Sequence, residues 1–183
     1  MTTEKELELE LLNNPKYSSS WIKNATHLML KCNLREDEIS KFDAEQLQLI
    51  VSMFTSAENN PEIWIGGFLN PKLNATQMQI LLTGYSHGLT TKQLQLYFNP
   101  DIPYVISNWA IAALSEGFNI DKYIENKFNK DQIYEIYAGI KDGVNVSLYD
   151  YIDISAEKMA IARHAMVLGL KPHFDENKKL TIE

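Results

Sequence analysis

Acids and phenols alternate along one stretch of this chain: Asp142, Tyr149, Asp150, Tyr151 and Asp153. Carboxylates so placed could hold a hard cation or share a proton with a phenol, but a metal site needs three or more convergent ligands, and spacing alone does not converge them. The stretch reads as a solvated strip or a partner contact. His27, His87, His164 and His173 occupy different positions in the chain's repeating unit, so the repeat does not gather them. There is no His-Glu-x-x-His pair, no Gly-x-Ser-x-Gly elbow and no phosphate loop ending in Gly-Lys-Ser or Gly-Lys-Thr. The single cysteine, Cys32, excludes an intramolecular disulfide framework and a Cys-cluster metal site; it reads as a small buried residue of a reducing compartment. No catalytic residue, metal or cofactor is assigned.

Gln46, Gln77 and Gln132 invite a ligand-binding reading, and the elements around them supply a simpler one. Each stands four residues after an apolar starter (Phe42, Leu73, Phe128) and three after Asp43, Asn74 or Asn129. An Asp or Asn N-cap followed three positions on by Gln is a capping box, and the starter is then placed to staple onto Leu47, Met78 or Ile133. Five starters, Phe42, Leu73, Ile102, Phe128 and Ile154, open five units; Ser155 caps the last, whereas Pro103, Ile106 and Ser107 make the third the loosest copy. Apolar residues follow at helical spacing, as in Met78, Leu81, Tyr85 and Leu89. Small residues recur at the eleventh position after the starter (Gly84, Ala113, Gly139, Ala165), where another helix can approach closely.

Gly88, Gly117, Gly143 and Gly169 stand 29, 26 and 26 residues apart, each before an apolar residue: Leu89, Phe118, Val144 and Leu170. Such a glycine supplies the left-handed residue that ends a helix, with the next apolar side chain folding back on the last turn. In the first unit Ala57-Glu58-Asn59-Asn60-Pro61 replaces it, and an asparagine is expected to take that conformation. Tyr97, Tyr123 and Tyr149 fall in register on a short second segment and read as packing residues with satisfied hydroxyls. Self-similarity at a period of roughly 20 to 50 residues implies a stacked array. The expected fold is therefore all-α, a short helical-repeat array (long helix, glycine stop, short helix) with an N-terminal capping helix. Residues 1–41 read as capping helices with a degenerate repeat ending at Asn33-Leu34; repeats span 42–174, divided as 42–72, 73–101, 102–127, 128–153 and 154–174; residues 175–183 read as a frayed polar tail.

Net charge is −7 and unevenly spread. Residues 1–60 carry ten acids and six bases and 121–183 carry eleven and nine, while 61–120 hold three acids and two bases. That middle third contains Trp64, Tyr85, Tyr97, Tyr104 and Trp109. Loss of charge with gain of aromatics marks an interface core, and it equally suits central repeats covered by their neighbours. The first unit runs to 31 residues rather than 26, the excess lying around Pro61 to Phe68. This insertion either presents Trp64 and Phe68 as partner anchors beside two flexible glycines, or forms a longer second helix whose aromatics pack on the array. An acidic chain without a basic stripe is a poor binder of nucleic acid. No apolar run reaches the roughly 18 residues a membrane span needs, and the opening residues lack a signal peptide's pattern, so a cytoplasmic protein is expected.

The string Phe128-x-x-x-Gln132-Ile-x-x-Ile136-x-x-Gly139-Ile-x-x-Gly143-Val-x-Val-x-x-Tyr149 resembles a short helical repeat found in many uncharacterised proteins of phages and mobile elements in low-GC Gram-positive and gut bacteria. The likeness covers residues 42–174, is looser in the third unit, and brings no catalytic residue with it. It implies helical stacking and a mobile-element context, in which small proteins commonly bind host or defence machinery. The expected function is a non-catalytic protein–protein interaction module, in that context an anti-CRISPR-like antagonist of a host defence enzyme acting in the host cytoplasm. A self-assembling homodimeric scaffold is the alternative, and an enzyme of unrecognised type an outside one. Trp64, Phe68, Tyr85, Trp109, Tyr149 and Tyr151 are the residues expected to meet a partner.

Overall fold

The computed structural model describes residues 4–183; Met1, Thr2 and Thr3, the start of the N-terminal cap, lie outside the described residues. Helices dominate, with a single small hairpin among the described residues, so the fold is all-α. Two compact units divide between Asp101 and Ile102. The first holds α1 (Glu4–Leu12), α2 (Ser19–Lys31), α3 (Glu36–Ile39), α4 (Ala44–Ala57), α5 (Ile65–Phe68), α6 (Ala75–Ser86) and α7 (Thr91–Leu94), the last running into a 3-10 turn at Gln95–Phe98. The second holds α8 (Tyr104–Ser115), α9 (Asp121–Glu125), α10 (Lys130–Lys141), a 3-10 turn at Val146–Leu148, α11 (Ala156–Val167), and strands β1 (Pro172–Phe174) and β2 (Leu180–Ile182).

The helix starts follow from side-chain chemistry. Asp43, Asn74 and Asn129 each accept from the backbone N–H three residues on, and Gln46, Gln77 and Gln132 accept in return from the cap's own N–H. Ser155 caps α11 through Lys158 N–H, while Pro103 opens α8 with no side-chain cap. All five starters are buried, and Leu47, Met78, Ile133 and Met159 beneath them are at most 1% exposed, as a staple requires.

The helix ends are equally legible. Gly88, Gly117, Gly143 and Gly169 have φ of 80, 86, 70 and 78°, the left-handed region where a side chain is strained. The following residue's N–H reaches back to the carbonyls of Gly84, Ala113, Gly139 and Ala165 at 2.9 to 3.1 Å, the six-to-one closure of a Schellman motif. Lys127 (φ 62°) ends α9 the same way, through Phe128 N–H to Tyr123 O at 3.0 Å, while Asn33 (φ 54°) ends α2 with a closure one residue wider, Leu34 N–H to Leu28 O at 3.3 Å.

Several expectations need correction. Neither Asn59 nor Asn60 is left-handed. Instead Asn60 N–H bonds Ser56 O while Asn60 Oδ1 accepts from Glu62 N–H at 3.1 Å, an Asx turn that lets α4 unwind before Pro61. Leu89 folds back into the core, but Phe118 and Leu170 stay 48% and 43% exposed, since a Schellman closure needs only their N–H. Cys32 is half-buried at the end of α2. Residues 175–183 are not a frayed tail: β1 and β2 pair antiparallel around a turn in which Asp175 Oδ1 accepts from Asn177 and Lys179 N–H at 2.9 and 2.8 Å. Lys158 Nζ on α11 donates to Lys178 O at 2.7 Å and ties the hairpin down.

Candidate functional site

Three of the six aromatics expected to meet a partner are core residues instead. Phe68 is fully buried, edge-on to Phe98 at 5.2 Å, and a side chain on the adjacent Gly67 would collide with the Phe98 ring. Tyr85 is 4% exposed, and its hydroxyl accepts from Trp64 N–H at 3.1 Å and pairs with Thr91 Oγ1 at 2.8 Å. Tyr149 is fully buried and donates to Glu135 O at 3.1 Å. The Gly66-Gly67 pair lies in the helical turn α5, which seats these rings rather than displaying them. Trp64 keeps 46% of its surface with its ring against Phe98 at 5.1 Å, and Tyr151 keeps 46% beneath Lys178 Nζ. A charge-poor sequence with aromatics marks a buried core as well as an interface, which is why burial was not separable from display.

Trp109 is half-buried and gathers two rings that the sequence reading did not single out. On α10, Tyr134 and Tyr137 lie three residues apart and so share a helix face. Tyr134 is 44% exposed with its centroid 5.2 Å from the Trp109 ring, and Tyr137 lies near-parallel to it at 6.4 Å and 17°. Glu116 and Lys141 close one end of this face through an ion pair of 2.5 Å. Trp109 and Tyr137 stand seven and nine residues after their starters, Ile102 and Phe128. Glu135 and Arg163 likewise stand seven and nine residues after Phe128 and Ile154, and Arg163 Nε meets Glu135 Oε2 at 2.8 Å. The same spacing is thus filled by stacking between α8 and α10 and by charge between α10 and α11.

The acid–phenol strip disperses on folding. Asp142 Oδ2 takes Arg163 at 2.5 Å, while Asp150 Oδ2 takes Tyr123 Oη at 2.7 Å and Lys122 Nζ at 3.2 Å. Burial pushes the Tyr149 and Tyr123 phenols up from their ordinary value, so both stay protonated donors. Burial alone would lower the Arg163 guanidinium, but its two carboxylates outweigh that and hold it fully charged. Among the described residues no three His, Cys, Asp or Glu side chains gather as metal ligands. The arrangement can bind through rings and hydrogen bonds.

Open grooves occur in the first unit, between α2 and α4 (about 530 Å³, beside His27 and Cys32) and between α4 and α6 (about 490 and 480 Å³). No described helix is long and apolar enough to cross a membrane. Comparison with protein-family models, curated proteins and solved structures returned no match, so the chain is characterised by its own geometry.

Proposed function

We propose that the chain is a protein-binding module whose contact face is formed by Trp109, Tyr134 and Tyr137. The observation that carries this reading is an aromatic cluster on two adjacent helices, with Tyr134 exposed over half-buried Trp109 and Tyr137 and an ion pair at its end. Tyr and Trp concentrate binding energy because they bring large area at low entropy cost and keep a polar tip for water or a partner. Further apolar surface lies on the same unit, with Leu148, Tyr151 and Ile152 each at least 45% exposed. In the mobile-element context that the repeat resemblance implies, the partner is a host or competing-element defence enzyme; this narrower reading rests on that resemblance alone.

Tyr134→Asp tests the face. Affinity capture from native cells with the full chain should recover one dominant protein, and the variant should lose it by about 30-fold or more, the weight of an interface hot spot. Thermal melting should barely move, because Tyr134 is exposed. Undiminished capture by the variant would overturn the assignment. Self-assembly is the second reading, favoured by the apolar end of α11, where Val167, Leu168 and Leu170 are 53%, 76% and 43% exposed. A strictly monomeric mass in solution would remove it.

A further inference from the structure

We propose a second site, independent of the aromatic face: the groove between α4 and α6 binds an extended peptide segment that carries a basic residue at one end. Two adjoining hollows of about 490 and 480 Å³ share Gln79 and together follow the length of both helices. Their lining is almost free of charge although the chain carries −7, and Glu45, in the first turn of α4, is the one ionised side chain along it.

The polar groups there are unspent. Gln46 and Gln77 are buried and committed to the chain's own backbone, whereas Gln48, Asn59 and Gln79 are exposed, and their side-chain amides have no partner among the described residues. Ser56 and Thr83 donate to Ser52 O and Gln79 O within their own helices, which leaves their oxygens as acceptors facing outward. A primary amide offers a carbonyl acceptor and N–H donors, the same complement as a peptide group. A row of amides therefore matches a polypeptide main chain and asks no desolvation of charge.

Dimensions agree with this occupant. The 14 residues of α4 at about 1.5 Å each span about 21 Å, the length of roughly six residues of extended chain. Glu45 then selects a cation at the end beside the start of α4. An oligosaccharide would use the same amides, but it also needs an open ring face to stack on. Tyr85, the one aromatic lining either hollow, is 4% exposed with its hydroxyl already bonded, so the peptide fits better.

The test uses the full chain against a random dodecapeptide display library, with recovered peptides measured by fluorescence anisotropy. Peptides sharing a basic residue are expected, and Gln79→Leu or Gln48→Leu should weaken them by about tenfold, the loss of one or two hydrogen bonds. Glu45→Gln should weaken them less and flatten the salt dependence, while Tyr134→Asp leaves them unchanged. Recovery of no peptide, wild-type affinity retained in both glutamine variants, or loss through Tyr134→Asp instead would each overturn the assignment. Binding of a neutral oligosaccharide such as maltoheptaose with no peptide recovered would give the groove to carbohydrate and equally overturn it. Melting curves of the variants, all at exposed positions, separate lost binding from lost fold.

Discussion

Between α4 and α6 the tie from one helix to the start of the next is a neutral amide: Gln46 Nε2 donates to Leu73 O at 2.6 Å. In the second unit Gln132 repeats it, donating to Ile152 O and Ile154 O at 2.8 and 2.7 Å, and charge is added to it. Arg163 joins α11 to Glu135 of α10 and to Asp142 just beyond that helix, and Lys122 and Lys141 bridge further segments of this unit. In the first unit the ion pairs among the described residues stay local, from Arg35 to Asp37 and Glu38 of α3. One local grammar of caps and stops is thus held by two inter-helix chemistries. Neutral ties do not respond to salt, whereas a buried pair such as Arg163–Glu135 is little screened but costly to break. The surfaces differ less sharply: the α4–α6 groove of the first unit is nearly neutral, and exposed rings and aliphatics are more numerous in the second, although the first also displays Leu9, Leu12, Leu30 and Trp64.

The sharpest way to break this comparison is Arg163→Ala. Glu135, 8% exposed, would be left without its counter-charge, at a cost of about 3–5 kcal/mol. Hydrogen exchange should show α10 and α11 losing protection while α4 and α6 keep theirs. Equal loss in both units would mean that they unfold as one cooperative body and that the charged ties serve the whole chain. The double change Arg163→Met, Glu135→Leu should recover most of the loss, because a packed apolar pair replaces a buried ionic one at little cost.

Gly139→Ala is expected to cost about 1–3 kcal/mol, since the new Cβ would run into the Tyr149 hydroxyl and the Val146 side chain. Tyr149→Phe should relieve part of it, which a double-mutant cycle of melting temperatures would read as a coupling between the two sites. Additive effects would refute the account of the small residue as room for that tyrosine.

A smaller effect separates capping from bridging. Glutamate serves a capping box as well as glutamine does, but Gln46→Glu removes the donor to Leu73 O and sets a carboxylate against carbonyls. Gln46→Glu should therefore destabilise by about 1–3 kcal/mol, at least as much as Gln46→Ala. If Gln46→Glu is neutral in chemical denaturation, the glutamine is a cap only, and the neutral tie assigned to the first unit disappears.

Caps and stops were open to reading because they are local. Asp43, Asn74 and Asn129 meet groups three residues away, and Gly88, Gly117, Gly143 and Gly169 close on the helix that they end. The candidate site was only partly legible: Trp109 was singled out, whereas Tyr134 and Tyr137 were hidden by looking like ordinary residues of an amphipathic helix. The hairpin was missed since Leu180 and Ile182 are too few to show a strand's alternation.

By itself, then, the sequence determined the helical class, where the longer helices begin, and where the glycine-stopped ones end, because each depends on hydrogen bonds closed within a few residues. Only the tertiary structure decided which rings are buried (Phe68, Tyr85, Tyr149) and which are displayed (Trp64, Tyr134, Tyr151). It also turned the side-chain amides of Gln46, Gln77 and Gln132 into ties to distant backbone carbonyls and scattered the acid–phenol strip among separate partners. Most of those outcomes depend on groups far apart in the chain, such as Gln132 with Ile152 O or Asp142 with Arg163, whose meeting is set by how helices pack and not by any local pattern.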